Sequence, residues 1–502
     1  IQPTDDINKI INLGGYVNFF VNKESLAKKV INQVLTEKEN YGKSEFGKGK
    51  TVVVEFSSPN IAKPFHIGHV RTTVIGNALS KIYASQGYHV EKLNHLGDYG
   101  TQFGKLIVAY KLWGDKQAVE NDPIKELLKL YIRFHDEAET KPEMEDEARE
   151  WFTKLENGDE EAKDLWQWFR DESLKEFSRV YKLLDIDFDS YVGESFYSDK
   201  MPAVIKELKE KNLLEESDGA MIVNLEDSKL PPALIQKRDG STLYLTRDLA
   251  SAFYRKKLYD FDKSIYVVGS QQELHFKQCF EIIKKMGYEW YKDMIHVQFG
   301  MVALEEGTMS TRKGRVVFLE DVLNQAIDRT RQIIDEKNPE AENIDEVAKA
   351  VGVGAVVFQE LSNSRIKDYT FSWDRTLSFE GETGPYVQYT HARCCAVLRK
   401  ADQPVSADIN YELLSDQDAA DVLSVLENFN KSLMTAMKKN EPHIVTRFVL
   451  DLAQAFNKFY HNSPILVDDA DLRAARLALV EATRQTIENA LKILGMKAPQ
   501  KM

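Results

Sequence analysis

Two histidines three residues apart, in His66-Ile67-Gly68-His69, give the sharpest chemical signal in this 502-residue chain. They follow a strand-like run and open a helical one, and chance would supply H-x-G-H only about 0.01 times in such a composition. A helix start offers backbone N–H groups and the positive end of a dipole, which suits a phosphate. Imidazoles at i and i+3 share a face, so both can donate to phosphoryl oxygens. Gly68 lets a nucleotide approach the backbone where a Cβ would clash. The competing reading is a pair of partly buried histidines that cap a helix. A second element, Gly307-Thr308-Met309-Ser310-Thr311-Arg312-Lys313-Gly314-Arg315, combines small residues, two glycines and three cations. Such a loop can fold over a charged ligand and offset charge developing on a leaving pyrophosphate. An ordinary basic surface loop is its alternative.

These residues need a scaffold. Thr51-Val52-Val53-Val54-Glu55-Phe56 is a β-branched run that predicts a buried strand. A proline-bearing loop from Ser57 to Phe65 leads to a helical face of Val70, Val74, Ile75, Leu79 and Ile82, closed by Gly87. Tyr88 to Leu93 reads as the next strand. Strand–loop–helix–strand is the unit of a parallel α/β sheet. The pattern resumes at Ser264–Val268 (strand), Gln271–Met286 (helix) and Ile295–Phe299 (strand). Between the two stretches, residues of about 115–218 turn helical and acidic. His135 to Glu150 carries eight Asp or Glu against two Lys or Arg, which reads as the solvated face of an insertion. The expectation is a doubly wound, Rossmann-like domain over 51–384, split by that insertion and carrying the loop 307–315.

After Pro385 no strand pattern survives. Val422–Lys438, Ile444–Tyr460 and Leu472–Leu494 predict amphipathic helices, so 385–502 is expected to be all-α. This tail has as many basic as acidic residues, whereas the whole chain has a net charge of −13. It is therefore the expected face for a polyanion, while the acidic balance of the whole chain argues against nonspecific coating of nucleic acid. Residues 1–50 look too short for a domain and end in a polar, glycine-rich linker from Tyr41 to Lys50. Since the chain opens at Ile1, they are expected to be the tail of a longer N-terminal domain. No apolar run approaches the roughly 18–20 residues of a membrane-spanning helix. Only Cys279, Cys394 and Cys395 occur, with no C-x-x-C, which fits a reducing compartment and neither a disulfide framework nor a zinc ribbon.

Ser57-Ser58-Pro59-Asn60-Ile61-Ala62-Lys63-Pro64-Phe65-His66-Ile67-Gly68-His69 resembles the signature of arginyl-tRNA synthetases, a branch of the class I aminoacyl-tRNA synthetases. Leu96-Gly97-Asp98-Tyr99-Gly100, Tyr244-Leu245-Thr246-Arg247-Asp248, Gln271-Gln272-Glu273-Leu274-His275 and Met309-Ser310-Thr311-Arg312-Lys313-Gly314 are similar to further blocks of that family, in the family's order. The resemblance implies ATP-dependent activation of L-arginine to arginyl-adenylate and its transfer to tRNA(Arg), with the transfer RNA needed for activation. It also implies magnesium arriving with ATP, no protein-bound metal, a C-terminal anticodon-binding bundle and an N-terminal remnant of the domain that touches the transfer RNA elbow. A cytoplasmic monomer with no membrane partner is expected.

By the same resemblance, Glu55, Tyr244 and Asp248 would hold the guanidinium, and Ser58, Asn60, His66 and Gln272 the amino and carboxylate groups of arginine. His66, Gly68, His69, Met309 and Ser310 would receive ATP, and His66 and His69 would act in catalysis. Thr308 and Thr311 replace the lysines of the class-wide K-M-S-K-S loop, leaving Lys63, Arg312 and Lys313 as candidates to stabilise the leaving group. The chemistry agrees: a guanidinium pairs best with carboxylates, and an unpaired acid at the end of a buried strand is costly. Asp248 follows Tyr244 by four residues, so acid and phenol can face one pocket. An internally paired Glu55 and a helix-capping Asp248 are the alternatives. Tyr386, Phe456 and Tyr460 are candidates for stacking on bases, with core packing as the alternative. Other readings are a small nucleotidyltransferase with an H-x-G-H turn and a non-catalytic RNA-binding relative.

Overall fold

Three valines in a row force the centre of the sheet to be covered on both sides. The structure, a computed structural model, describes residues 2–238, 240, 243–304, 317–337 and 343–502. It opens with a hairpin of β1 (Ile7–Leu13) and β2 (Tyr16–Val21), followed by α1 (Lys23–Glu37). Then β3 (Thr51–Glu55), α2 (Val70–Ser85) and β4 (His89–Leu93) form a parallel β-α-β unit. Helices α3 (Gln102–Trp113), α4 (Lys116–Asn121), α5 (Pro123–Ala138), α6 (Glu143–Glu156), α7 (Glu160–Leu184) and α8 (Met201–Glu210) come next. An antiparallel sheet of β5 (Glu215–Ser217), β6 (Ala220–Val223) and β7 (Ala233–Gln236) precedes α9 (Tyr244–Tyr259). Two further parallel strands, β8 (Lys263–Tyr266) and β9 (Met294–His296), flank α10 (Glu273–Lys285).

The sheet order is β4-β3-β8-β9, all parallel. The chain builds outward from β3 to β4, then returns to the other side of β3. This reversal places a crevice at the carboxyl ends of β3 and β8, where doubly wound sheets bind ligands. Val52, Val54 and Ile265 join the core that includes Val74 and Ile75 of α2. On the opposite face Val53 and Leu93 meet Phe261, and Tyr266 joins Leu249 of α9 and Ile282 of α10. Burial on both faces explains why β3 reads as a continuous apolar run rather than an alternating one.

The chain continues through β10 (Val302–Leu304), α11 (Leu319–Lys337), α12 (Ile344–Leu361), β11 (Tyr369–Phe371) and α13 (Trp373–Thr376). A bundle of α14 (Gly384–Ala401), α15 (Gln417–Glu427), α16 (Phe429–Lys439), α17 (His443–Asn462) and α18 (Ala470–Ile493) ends it. The single helix expected over Val422–Lys438 is two, which meet at Asn428; its side chain donates back to Ser424 O of the first and makes no cap bond to the second. The acidic insertion also differs from a purely solvated helical unit. It contains β5, and the inner face of α7 buries Phe169, Phe177, Val180 and Tyr181.

Residues 23–41 pack onto the bundle. Leu26, Val30, Ile31 and Val34 are buried there, Tyr41 donates to Leu426 O at 2.7 Å, and Asn489 donates to Lys38 O at 2.8 Å. The glycine-rich stretch after them is held as well, since Gly47 N–H reaches Gln86 O at 2.8 Å and Gln86 donates to Gly42 O.

Candidate functional site

The loop that leaves β3 is bent against its own preferences. Ser57, Ser58 and Ala62 have φ of 69°, 45° and 57°, a region that costs non-glycine residues energy and persists only when neighbours enforce it. The neighbours are visible. Thr72 accepts the Ser57 N–H at 3.0 Å and donates to Val267 O at 2.7 Å. Thr73 donates to Ser57 Oγ, which also bonds Tyr181 of α7 at 2.8 Å. Ser173, likewise on α7, accepts the Ala62 N–H at 3.0 Å. The insertion thus clamps the loop from outside and α2 clamps it from below. Asn60 lies against Gly97, where a Cβ would fall 2.1 Å from Asn60 Oδ1, so a side chain there would displace the Asn60 amide.

His66 and His69 end the loop with ring centroids 4.1 Å apart. Gly68 N–H donates to His66 Nδ1 at 3.0 Å, and His66 N–H donates to His69 Nδ1 at 3.2 Å. Both Nδ1 atoms accept, which leaves each Nε2–H as the donor. Burial lowers the His66 pKa, and burial together with the His66 charge lowers that of His69 to about 3, so both rings are neutral at pH 7. The capping alternative and the phosphate reading therefore coexist, one on each side of the ring. The expectation of free backbone donors fails here, because Ile67 N–H bonds Val317 O and His69 N–H bonds His66 O. A phosphate at this turn must be met by imidazole N–H groups.

Glu55 ends β3 as expected, but its carboxylate is taken. Arg255 of α9, 1% exposed, pairs with it at 2.5 Å and also reaches His95 Nδ1 at 3.3 Å. The internally paired alternative is what the structure contains. Asp248 lies in the second turn of α9, not at its cap, and bonds His275 Nε2 at 2.5 Å. Burial raises its pKa, but His275, His95 and Arg255 outweigh that and hold it below the usual carboxylate range. Tyr244 sits one turn earlier on the same face, 60% exposed.

Sequence reasoning missed Glu194. This residue of the insertion bonds Arg247 Nη1 at 2.8 Å. Burial pushes its pKa up to about 7; Arg247 opposes the rise, and the negative charges of Asp248 and Asp98 add to it. Nothing in its spacing marks it, because the Gly193-Glu194-Ser195 turn is brought beside Asp248 by tertiary packing alone. Glu194 and Asp248 form a pair of acids whose mutual repulsion a bound cation would relieve.

Ser58 Oγ accepts the His95 N–H at 3.2 Å, while Asn60 and Gln272 are exposed, Gln272 at the end of the 3-10 turn Ser270–Gln272. The Lys63 ammonium lies 6.0 Å from the Tyr131 ring centre. Met309, Ser310, Arg312 and Lys313 lie outside the described residues. Among the described residues no group of three or more His, Cys, Asp or Glu side chains could hold a metal ion, and no helix is long and apolar enough to cross a membrane.

In the bundle, Phe456 is core and the Tyr386 hydroxyl accepts from Asn457 at 2.9 Å. Tyr460 is 40% exposed on the wall of a groove of about 820 Å³ with Tyr389, Arg393, Arg399 and Lys400. Arg393 sits 5.0 Å from both tyrosine rings. Stacking faces and cations side by side suit unpaired bases.

Residues 30–373 match the family described as tRNA synthetases class I (R), catalytic domain, and residues 387–502 match the DALR anticodon binding domain. The chain is 74% identical to the arginine–tRNA ligase of Clostridioides difficile strain 630, over all of its own length and 89% of that protein. It is 61% identical to the arginine–tRNA ligase of Halothermothrix orenii over the same shares. Among solved structures it is similar to the arginyl-tRNA synthetase of Plasmodium falciparum, with a TM-score of 0.83 and 28% identity over 99% of this chain and 87% of the other. It shares its fold with the Thermus thermophilus arginyl-tRNA synthetase, with a TM-score of 0.85 and 24% identity over 100% and 90% of the two chains.

Proposed function

The chain belongs to the class I arginyl-tRNA synthetases, and from that premise we propose how its residues join arginine to tRNA(Arg). The family reaction is ATP-dependent aminoacylation. The arginine carboxylate attacks the α-phosphate of ATP in line, pyrophosphate leaves, and the arginyl group then passes to the terminal ribose of the transfer RNA. No protein nucleophile is required, so positioning and electrostatics supply the catalysis.

In our reading the neutral His66 and His69 donate from Nε2 to phosphate oxygens, with Gly68 leaving room for the nucleotide. Asp248 and Glu194 clasp the guanidinium and Tyr244 covers it, while Glu55 serves the clasp indirectly by holding Arg255. Ser58, Asn60 and Gln272 face the amino and carboxylate end. Lys63, Arg312 and Lys313 offset the charge of the leaving pyrophosphate, assisted by Met309 and Ser310 at the nucleotide. Magnesium enters with ATP, held mainly by phosphate oxygens and water. Tyr460, Tyr389 and Arg393 receive unstacked anticodon bases, and transfer RNA binding is needed for activation. The enzyme acts as a cytoplasmic monomer; its three unpaired, buried cysteines fit a reducing compartment.

The observation that carries this reading is Asp248, a half-buried carboxylate that His275, His95 and Arg255 hold ionised beside a second acid, Glu194. Pyrophosphate exchange with arginine, citrulline and lysine, each with and without tRNA(Arg), tests it. Exchange should require arginine and transfer RNA together. Exchange with citrulline at a comparable rate would remove the two-acid clasp, because citrulline is neutral.

A further inference from the structure

A third acid, fully buried, stands behind the clasp without belonging to it. Asp98 is 1% exposed. Its Oδ1 accepts the Ser195 N–H at 2.8 Å, and its Oδ2 accepts the Ser195 hydroxyl at 3.0 Å and Arg170 Nε at 3.4 Å. On the other side of Glu194, a Cβ built on Gly193 would fall 2.4 Å from the same carboxylate. Glu194 itself donates its N–H to Leu96 O at 3.0 Å. The contact is the end of a longer one. Asp189 N–H bonds Lys92 O, Leu93 bridges Ser190 in parallel, and Asn94 N–H bonds Ser190 O. The chain leaving α7 therefore runs alongside the extension of β4, and Asp98 fastens it where Glu194 turns toward Arg247.

We propose that Asp98 is a positioning residue for arginine selection, locking the Gly193–Ser195 turn so that the Glu194 carboxylate stands opposite Asp248. The inference rests on the reading that Glu194 and Asp248 hold the guanidinium. The chemistry explains why a carboxylate is needed. Three donors converge on Asp98, and an ionised carboxylate is an acceptor at both oxygens. An amide offers one acceptor and one NH2, so at least one of the three donors would face another donor. The Ser195 hydroxyl can rotate to accept instead, which lets the turn relax without unfolding the sheet behind it. Gly193 is the steric half of the same lock, since any side chain there pushes the turn away from Asp98.

The test compares Asp98→Asn, Gly193→Ala, Ser195→Ala and Glu194→Gln, with the double variant Asp98→Asn/Glu194→Gln, in pyrophosphate exchange at saturating tRNA(Arg). Asp98→Asn and Gly193→Ala are expected to raise the KM for arginine about tenfold, as loss of one charge-assisted hydrogen bond would. Ser195→Ala, the mildest change, is expected to raise it about threefold. The KM for ATP should move less than twofold in all three, and the preference for arginine over citrulline should fall in step with arginine KM. Because Asp98 acts through Glu194, adding Asp98→Asn to Glu194→Gln should change arginine KM little further. A raised KM in Glu194→Gln with an unchanged one in Asp98→Asn and Gly193→Ala overturns the inference alone. So does a full, additive effect in the double variant, or an equal rise in the KM for ATP. An unchanged arginine KM in Glu194→Gln overturns the two-acid clasp and this inference with it.

Discussion

Lowering the pH should weaken arginine while leaving ATP untouched, with Glu194 setting the midpoint. Burial raises its carboxyl to about 7, against Arg247 and with help from Asp248 and Asp98. The guanidinium selects the ionised form, so apparent affinity follows the ionised fraction. For a midpoint of about 7 that fraction is about 9% at pH 6 and about 91% at pH 8, so arginine KM should be about tenfold higher at pH 6. The other shifts resolved in the proposed site run away from that window: burial lowers the His66 imidazole and raises the Tyr244 phenol. Asp248 is held below the usual carboxylate range and stays ionised, and His69, at about 3, is already neutral. The assay is arginine and ATP KM by pyrophosphate exchange at pH 6, 7 and 8, at constant ionic strength and saturating tRNA(Arg). Glu194→Gln should bind arginine more weakly and lose most of the slope. The same shift has a stability counterpart. Between the ordinary glutamate value of 4.5 and about 7 the unliganded folded chain holds a proton that the unfolded chain releases, so this group's contribution to stability falls as pH rises through that window. Wild type should therefore lose stability relative to Glu194→Gln between pH 5 and 7. An arginine KM equal at pH 6 and 8, or an ATP KM that moves with it, refutes the assignment.

Asp248→Asn should raise arginine KM about 10- to 100-fold, the equivalent of losing a charge-assisted bond of about 1.5–3 kcal/mol, with ATP KM nearly constant; unchanged arginine binding would dismiss its role. His69→Ala should slow adenylate formation about 100-fold, the scale for removing one donor to developing charge, without unfolding the protein. Single-turnover quench-flow and circular dichroism check the two halves of that statement, and a normal rate rejects the phosphate contact. Tyr460→Ala should weaken tRNA(Arg) binding by at least about fivefold, the lower end of base–aromatic stacking, without altering arginine KM once transfer RNA is saturating. Filter binding at fixed salt decides it, and full-strength binding removes Tyr460 from the anticodon groove.

The parallel core was readable because its signals are local. A β-branched run, a helical face and a closing Gly87 with φ of 86° lie within forty residues of one another. The antiparallel β5–β7 sheet carries no such signal. Its strands have three or four residues, and Glu215–Ser217 is fully exposed, so nothing in its pattern separates it from a loop. The break at Asn428 was hidden for the opposite reason. Val422, Leu426, Phe429 and Leu433 continue one apolar face across it, and all four are buried. Periodicity reports which side faces the core and does not report that the helix axis turns between two of those residues.

The histidine pair was legible for the same local reason, since both rings and the glycine between them belong to one turn. The acids were legible only as types. Glu55 does end a buried strand, but its partner Arg255 comes 200 residues later, and no spacing links them. Glu194 was passed over because an acid-rich segment is usually solvated, and its burial arises only when that segment returns along β4. The exchange of roles proposed for these two acids follows from electrostatics. A free carboxylate at the end of β3 would compete for the guanidinium, and a buried unpaired one would tend to take up a proton. With Arg255 filling that place, charge at the strand end is balanced, and the acids left beside it are Glu194, paired with Arg247, and Asp248, bonded to His275. On the proposed reading a substrate cation is drawn to the side of the crevice nearest α9. The internal Arg255 beside Glu55 also helps to hold Asp248 ionised, whereas burial and the charges of Asp248 and Asp98 raise Glu194 against Arg247.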